Sequence, residues 1–479
     1  MKKEKLPLII DLDNSLITSD TLVDSISQCL SKNILNIFWL FFWIASGKAF
    51  LKYKLTQYFP IKAKELSFRK EVLDLINESK KKGKKIYLCS GSNEKQVKLI
   101  YEYLGLFDGY FGSNLENNLT GNKKKVFLEK EFGYKNFDYL GDSSVDIPIW
   151  KSSHKAYLVN VSKKVKYQLL RNKIDFDELI HSINFSSQLK NYLKVIRVYQ
   201  WVKNLLIFVP IFLAQEFTEN NFVNAIIAFI CFSMVSSFVY VMNDFLDIQN
   251  DRQHPSKKDR PIALGVINPF PLMIIISIML MVILSIASVF LDNLFLIILL
   301  FYILVNLFYS SFIKRLYFLD VLTLSSFYTL RLISGGVIND ISLSPWLIFF
   351  SIFFFLYLAL IKRIGEIINL AAEDKAVYGR SYEEDAIKRT KYITVFSSMF
   401  SLVLLMMYFF SDKALTLYDN IYILILICPL LIIWKIRLYK AATNNQMHDD
   451  PIIFIVKDKL SWIIFTLISL IIISQMRIW

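Results

Sequence analysis

The sequence predicts two folds joined in one chain: an N-terminal α/β domain built on a parallel sheet, and an all-α polytopic membrane domain of about nine transmembrane helices. Three observations predict this. Before residue 190, strand-length apolar runs ("LPLIIDLD", "KKIYLCSG", "FDYLGD", "KAYLVNV") alternate with charged, helical stretches, the order a parallel sheet requires. After it, apolar runs reach the roughly 20 residues that a bilayer-crossing helix needs. Hydrophobic residues make up 54 % of the chain and mean hydropathy is +0.42, too apolar for an ordinary soluble protein.

The start, "MKKEKLPLIIDLDNS", has basic residues but no long apolar core and no small-residue cleavage site, so a cytosolic N-terminus is expected. The α/β domain is expected over residues 1–185, with a cap segment at about 20–75, and the membrane domain over 186–479. Within the cap, "NILNIFWLFFWIASG" (33–47) is apolar but short for a span. A buried cap helix, an interfacial helix and a true span are the three readings. A span would part the first strand from the rest of its sheet, so a cap helix that also touches the membrane is preferred.

The nine expected spans centre near residues 208, 232, 280, 302, 328, 355, 402, 427 and 469. Loops such as "DIQNDRQHPSKKDRP" and "FIKRLYF" are rich in Lys and Arg, whereas the alternating loops "QEFTENN", "LDN", "INDISLS" and "FSDKALTLYDN" carry almost none. Positively charged loops stay in the cytosol, which places the α/β domain there and the C-terminus on the far side. The net charge of +14 then reflects basic loops near anionic lipid headgroups, and no nucleic-acid partner is expected. Cys29, Cys89, Cys231 and Cys428 are scattered, with no CxxC pair, which excludes a disulfide framework or thiolate metal site. Oligomeric state is not legible.

Two stretches carry chemistry. In "NDFLDIQNDRQHPSKKDRPIALG" (243–265), Asp244, Asp247 and Asp251 are spaced i, i+3, i+7, one face of a helix. Carboxylates so placed repel unless a cation lies between them, and oxygen ligands select a hard ion such as Mg²⁺. Asn243 adds an amide oxygen, and Arg252, His254, Lys257, Lys258 and Arg260 follow, suited to a diphosphate's remaining charge. A solvated loop obeying the positive-inside rule would explain the basic residues but not the carboxylates.

This stretch resembles the first signature of the UbiA superfamily of intramembrane transferases. It is closest to the decaprenyl-phosphate phosphoribosyltransferase branch, NDxxDxxxDxxHPxKxxRPIAxG, with every fixed position present. "IRVYQWVKNLLIFVP" (with Val198 for the usual Pro), "YSSFIKRLYFLDVLTLSSFYTLRLISGG", "LALIKRIGEI" and "DDPIIFIVKDK" extend the resemblance over most of 190–479. It implies that Asp244 and Asp247 are catalytic and, with Asp251, hold Mg²⁺. It implies a substrate site of Lys203, Asn204, Asn243, Arg252, His254, Lys257, Arg260, Tyr309, Lys314, Asp320, Arg331, Lys362 and Glu366. Arg331 has a structural alternative, a salt bridge with Asp320. The implied reaction moves a 5-phosphoribosyl group from phosphoribosyl diphosphate to a polyprenyl phosphate in a bacterial inner membrane. Prenyl-transferring relatives carry a second DxxxD cluster after the sixth helix, and "KRIGE" stands there instead, which favours the phosphoribosyl donor. The rivals are a polyprenyltransferase using a prenyl diphosphate and a small or aromatic acceptor, and a non-enzymatic transporter or scaffold.

In the N-terminal domain, Asp11-x-Asp13-x-Ser15 follows an apolar strand, Ser90 ends another, Lys124 lies in "GNKKKVFL", and Asp142 and Asp146 follow a third strand. Strand-end carboxylates two residues apart can meet one phosphate and one Mg²⁺. The order resembles the haloacid dehalogenase (HAD) superfamily over about residues 5–165, with Asn14 for the usual Gly and Ser15 for Thr. The resemblance implies that Asp11 is the nucleophile and Asp13 the general acid and base. Ser90 and Lys124 would hold the phosphoryl oxygens, and Asp142 and Asp146, with Asp11 and Asp13, the Mg²⁺. A regulatory pseudo-enzyme is the alternative.

The loop charges generate one prediction. A reporter fused after Trp479 should read as periplasmic, and one inserted in the 366–390 loop as cytosolic; equal sidedness would show the span count wrong by one.

Overall fold

The computed structural model describes residues 5–115, 117–181, 184–254, 257–371, 384–444 and 451–477. The chain divides into two compact units. One comprises Met1–Arg197 with Tyr240–Ile276, the other Val198–Val239 with Ser277–Trp479. The aspartate-rich stretch at 243–265 falls within the first unit.

The first unit begins with strand β1 (Leu8–Ile10). Three helices then intervene, α1 (Thr21–Lys32), α2 (Ile37–Ala45) and α3 (Lys48–Tyr58), followed by α4 (Lys70–Lys81) and β2 (Ile86–Asn93). The chain continues through α5 (Glu94–Leu104), β3 (Gly109–Ser113), α6 (Asn122–Phe132), β4 (Asp138–Gly141), α7 (Ile147–Ser152), β5 (Ala156–Val159), α8 (Lys163–Arg171), β6 (Phe176–Ile180) and α9 (Phe185–Val195). The six strands form one parallel sheet in the order β3-β2-β1-β4-β5-β6. Both faces are covered, so β1 is apolar at every position; side chains still alternate with period two. Leu8 and Ile10 pack with Leu88, Leu140 and Val97, and Ile9 packs with Cys89, Tyr139 and Trp150 on the other face.

Strand order reverses at β1, between β2 and β4. In an open α/β sheet, ligands bind at the carboxyl ends of the strands at such a switch point. Asp11, Ser90 and Asp142 leave the sheet there. The chain after β1 makes one wide turn, Leu12–Leu16, with Leu16 N donating to Asp11 O at 3.2 Å and Ile17 N to Leu12 O at 3.0 Å. Asn14 in this turn has φ +55°, a left-handed conformation that Asn tolerates better than most residues. That explains why Asn can stand where the resemblance expects Gly.

Where a cap is expected, between residues 20 and 75, the chain forms α1, α2 and α3. Its 33–47 segment is a short apolar helix, as the preferred reading has it: Leu40 and Trp43 are buried, while Phe38, Trp39, Phe41, Phe42 and Ile44 are exposed.

The same unit contains the last turns of α11 (Glu219–Leu246), α12 (Ile248–Gln253) and the start of α13 (Pro269–Phe290). Before α11 the chain passes through an 11-residue 3₁₀ segment, Val198–Phe208, and α10 (Val209–Ala214). The second unit is helical. After α13 come α14 (Asn293–Ser311), α15 (Tyr317–Val337), α16 (Pro345–Ala371), α17 (Glu384–Phe409), α18 (Asp412–Leu417), α19 (Ile421–Leu424), α20 (Ile427–Thr443), α21 (Pro451–Lys457) and α22 (Lys459–Ser474).

Among the described residues, six helical segments are long and apolar enough to cross a membrane: Glu219–Leu246, Pro269–Phe290, Asn293–Ser310, Pro345–Ile368, Lys388–Phe409 and Ile421–Thr443. The bent pair Ser186–Val195 and Val198–Ala214 makes a seventh if it counts as one span. Of the nine expected, α15 is long enough but carries Asp320 and Arg331, and α22 has 16 residues, short for a bilayer. Met281, Val282 and Val289 on α13 are exposed, as apolar groups facing lipid are. Cys231, Phe232, Phe295 and Tyr302 form one core, and Leu358, Ile361, Leu431 and Trp434 another.

Gly335 shows how closely these helices pack. A Cβ there would lie 2.0 Å from the Ile207 carbonyl oxygen, so α15 and the 3₁₀ segment touch backbone to backbone, as small residues permit in membrane proteins. Gly335→Ala should therefore lower stability by about 2 kcal/mol, within the range for overpacking, read as a fall in the unfolding midpoint of the purified protein. An unchanged midpoint would show that the contact is loose.

Candidate active sites

At the carboxyl end of the sheet, Asp11 is held from two sides. Lys124 Nζ donates to its Oδ1 at 2.6 Å, and Ser15 Oγ to its Oδ2 at 3.1 Å. Lys124 is buried and also reaches the Tyr139 hydroxyl at 2.7 Å, and that hydroxyl donates to Asp146 Oδ1 at 2.9 Å. Asp146 Oδ2 accepts the backbone amides of Asp142 and Ser143, each at 3.2 Å. Ligand oxygens of Asp11, Asp142 and Asp146 all lie within 4.8 Å of one another, the one such group among the described residues. Burial, with Asp146 and Asp13 nearby, pushes the Asp11 carboxyl up to about 6 against the pull of Lys124. Burial and the charges of Asp146 and Asp11 also hold Asp142 well above the usual carboxylate range. One ammonium is not enough for three clustered carboxylates. The all-oxygen donor set fits a hard divalent cation such as Mg²⁺.

Asp13 departs from expectation. Its Oδ1 accepts Thr21 N at 2.8 Å, and its Oδ2 accepts Ser92 Oγ at 2.6 Å and Ser90 Oγ at 3.3 Å. The carboxylate is thus turned towards the start of α1 and towards β2, and does not join the cation-binding group. Ser90 Oγ in turn accepts Ser92 N at 3.0 Å.

The sequence reading missed Ser92, Asp20, Lys52 and Tyr139. Ser92 was within reach, because it lies two residues past Ser90 on the same face of β2. Asp20 caps α1 by accepting Leu22 N at 2.7 Å, and burial and the Asp13 charge push it up to about 7. Lys52 of α3 donates to the Gly91 carbonyl, and burial lowers its ammonium below the ordinary range. Nothing local in the sequence marks Lys52.

In the aspartate-rich stretch, Asn243 and Asp244 lie in the last turn of α11. The helix breaks at Asp247, yet Asp247 N still donates to Asn243 O at 2.9 Å and Asp251 N to Asp247 O at 2.8 Å. The one-face spacing therefore survives the break. Asp244 Oδ1 accepts Arg197 Nη2 and, at 2.9 Å, Arg260 Nη1, which also donates to Asp251 Oδ2 at 2.6 Å. Arg260 sits between two carboxylates that were expected to hold Mg²⁺. Among the described residues, Asp244, Asp247 and Asp251 do not bring three ligand atoms within 4.8 Å of one another, and arginines pair with Asp244 and Asp251. Burial pushes Asp251 up to about 6, opposed by Arg260. His254 and Lys257 are half-buried in the turns that follow, where His254 N donates to Asp251 O at 3.2 Å and Arg260 N to Lys257 O at 3.0 Å. Pro255 and Ser256 of this motif lie outside the described residues.

Arg252 does not join this group. Its Nη1 and Nη2 donate to Asp24 Oδ2 and Oδ1 at 2.8 and 3.0 Å, and its Nε to Ala263 O at 3.0 Å. The expectation that it faces a diphosphate is corrected: its fork is filled by a carboxylate of α1.

In the second unit, Arg331 is buried. Nε donates to Asn204 Oδ1 at 2.6 Å, Nη1 to Phe327 O at 2.5 Å, and Nη2 to the Tyr302 hydroxyl at 3.2 Å. Its guanidinium lies over Phe232, Tyr302 and Tyr328. The alternative of a salt bridge with Asp320 does not hold. Asp320 is bound by Arg363, Nε at 2.7 Å and Nη2 at 2.9 Å, and by the Tyr309 hydroxyl at 2.7 Å; Arg363 also pairs with Glu366. Arg363 was the missed partner, although it stands in the quoted "KRIGE". Lys203 lies over the Tyr328 ring at 5.7 Å, and Lys314 and Lys362 are half-buried in the Ile313–Arg315 turn and in α16.

The described residues hold several helices long and apolar enough to cross a membrane, and an aspartate-rich motif begins at the end of one of them. Residues 204–457 match the UbiA prenyltransferase family, and the chain belongs to that family. It is similar to an uncharacterized protein of Sinorhizobium fredii, 33% identical over 482 residues, covering 97% of this chain and 90% of that one. It is more distantly related to the decaprenyl-phosphate phosphoribosyltransferase of Mycolicibacterium smegmatis, 29% identical over 284 residues, covering 57% of this chain and 88% of the relative. A solved phosphoserine phosphatase, a phospho-aspartyl intermediate analogue, aligns with 39% of this chain and 99% of its own at 19% identity, with a TM-score of 0.28.

The carboxylate group generates a prediction about cation binding. A ligand that binds only the folded state stabilises by about 2.7 kcal/mol at a hundredfold excess over its Kd. Millimolar Mg²⁺ should raise the unfolding midpoint of the purified protein, and Asp142→Asn should remove most of that rise. An equal rise in the mutant would place the cation elsewhere.

Proposed function

We propose that the chain is a bifunctional membrane enzyme. Its UbiA-type domain would transfer a 5-phosphoribosyl group from phosphoribosyl diphosphate to a polyprenyl phosphate, and its HAD-like domain would remove the 5-phosphate from that product. The observation that carries this reading is the content of one compact unit: a buried Asp11–Lys124 pair beside a three-carboxylate cation site, together with the complete aspartate–arginine motif.

The Arg363 network supports the choice of donor. Where prenyl-transferring relatives keep a second acidic cluster, this chain has a guanidinium tied to Asp320 and Glu366, so a second metal on a prenyl diphosphate would lack its ligands. The relationship to the M. smegmatis phosphoribosyltransferase supports the same donor.

In the transfer step, a phosphate oxygen of the lipid attacks C1 of ribose as diphosphate leaves. Mg²⁺ held by Asp244, Asp247 and Asp251 would supply charge neutralisation of that leaving group. Arg260, paired with Asp244 and Asp251, would meet the remaining charge of the diphosphate. Arg331 and Lys203 would hold the lipid phosphate. In the hydrolytic step, Asp11 attacks phosphorus while the ribose 5-oxygen leaves with a proton from Asp13. Water activated by Asp13 then opens the aspartyl-phosphate and releases inorganic phosphate. Lys124, Ser90 and a cation on Asp11, Asp142 and Asp146 would steady the phosphoryl oxygens. The exposed apolar face of α2 supports a lipid-bearing substrate, because a cap for a fully soluble ester has no use for exposed Phe38, Trp39, Phe41 and Phe42. In this reading the HAD-like domain lies on the cytosolic side of a bacterial inner membrane and the C-terminus on the far side.

The test uses membranes holding the full chain, supplied in parallel with ribose-labelled phosphoribosyl diphosphate and with a labelled prenyl diphosphate. Label should enter lipid from the first donor alone; label from the second would establish prenyl transfer instead. Asp11→Asn should still label lipid but accumulate the phosphorylated form. Lipid products identical to wild type would mean that the phosphatase acts on another substrate.

A further inference from the structure

Arg252 stands inside the transferase motif but at one of its variable positions, between the fixed Asp251 and His254. Its side chain is turned away from Asp244 and Asp251 and is buried against α1 of the HAD-like domain. We infer that Arg252 serves the phosphatase site: it is a positioning residue that locks the loop between Asp13 and α1, and so ties the transferase motif to the phosphatase. The inference rests on the phosphatase reading above.

The lock runs through a continuous set of contacts. Asp24, wholly buried, receives both arms of the guanidinium and also Ser19 Oγ at 2.8 Å. Ser19 O accepts Asn14 N at 2.9 Å, which closes the loop directly behind Asp13. Asp24 N donates to Asp20 O at 3.0 Å, and Thr21 N, one residue past Asp20, donates to Asp13 Oδ1 at 2.8 Å. Asp24 thus holds the far end of the 14–20 loop, its carboxylate through Ser19 Oγ and its amide through Asp20 O, while Ser19 O holds the near end at Asn14 N, and the general acid and base takes its orientation from the first turn of α1. A carboxylate buried this deeply, without a paired cation, costs several kcal/mol. Arg252 supplies that cation with the forked geometry Lys cannot copy.

Two further contacts hold the motif on the loop. Ser27 Oγ donates to Phe245 O at 2.6 Å, in the turn that also carries Asp244. Gly265, at the motif's last fixed position, has φ +71°, and a Cβ there would lie 2.2 Å from Thr18 O, so the motif backbone rests on the phosphatase loop. Between them a water-sized cavity of ≈ 20 Å³ is lined by Asn14, Ser19, Asp20 and Asp24 from one side and by Arg252 and Asn268 from the other. Movement of the motif is therefore felt at the turn that carries Asp13.

The test measures p-nitrophenyl phosphate hydrolysis by the full-length protein in detergent with Mg²⁺. Arg252→Gln should lower kcat tenfold or more and leave KM within twofold, because the nucleophile and phosphate-binding groups are untouched. Arg252→Lys should recover only part of the loss. Asp24→Asn should match Arg252→Gln, and the double variant should be no worse than the poorer single one. An Arg252→Gln enzyme with wild-type kcat would overturn the inference, above all if lipid labelling were lost at the same time, since Arg252 would then serve the transferase. Singles whose effects multiply in the double variant would also overturn it. If the wild-type protein hydrolyses no phosphate monoester, the phosphatase reading fails. The lock is then judged by unfolding midpoints at a fixed scan rate: shifts in the double variant smaller than the sum of the singles uphold it, and additive shifts overturn it.

Discussion

A carboxylate withdrawn from water must be given a cation, and the way each buried aspartate meets that demand organises this protein. Asp11 has Lys124, Asp24 has Arg252, Asp244 and Asp251 share Arg260, and Asp320 has Arg363. Buried pairs of this kind contribute little net stability against an apolar packing of equal volume, but breaking one strands a charge and costs about 3–5 kcal/mol. They act as register marks. Each fixes one element against another whose place in the sequence is remote: β1 to α6, α1 to α12, and α15 to α16.

The pairs differ in balance, and the difference separates chemistry from scaffolding. Asp24 and Arg252 are one charge against one, with the fork and the carboxylate oxygens satisfied. Asp11, Asp142 and Asp146 have a single ammonium among them, and the raised positions of Asp11 and Asp142 express that deficit. A carboxylate group short of positive charge at a strand-end switch point suits a cation. The aspartate-rich motif lies between these cases. Its Asp244 and Asp251 are already paired with arginines, so in the proposed reaction a diphosphate and its cation would compete with Arg260 instead of filling a gap.

Much of this was legible in the sequence, and the limits of legibility are physical. The strands, the DxDxS turn and the spacing of Asp244, Asp247 and Asp251 are local, so periodicity and short motifs expose them. The apolar cap helix was visible as a 15-residue run in 33–47, and the sheet left it no room to be a span. The partners of the buried arginines were not visible, because contacts between Asp24 and Arg252 or between Asp320 and Arg363 join residues 228 and 43 positions apart. Charge type alone therefore misassigned Arg252 to a diphosphate and weighed Arg331 against the wrong carboxylate. The side-chain direction of Asp13 was also beyond reach, since it depends on where α1 begins. The span count was blurred by α15, where Asp320 and Arg331 lower the hydropathy of the helix.

Arg331 is the counterexample that sharpens the rule. It is buried in the helical unit, yet among the described residues no carboxylate meets it; its donors go to an amide oxygen, a backbone carbonyl and a hydroxyl, and its faces to three aromatic rings. Rings and neutral acceptors orient a guanidinium without cancelling its charge. In a low-dielectric interior that charge is costly, and a protein that keeps it unneutralised keeps an attraction for an anion. The positive excess at Arg331 and the negative excess at Asp11, Asp142 and Asp146 are thus the same device with opposite sign. In both, the fold stops one charge short of balance, and the missing charge is the one a phosphorylated substrate and its cation can bring.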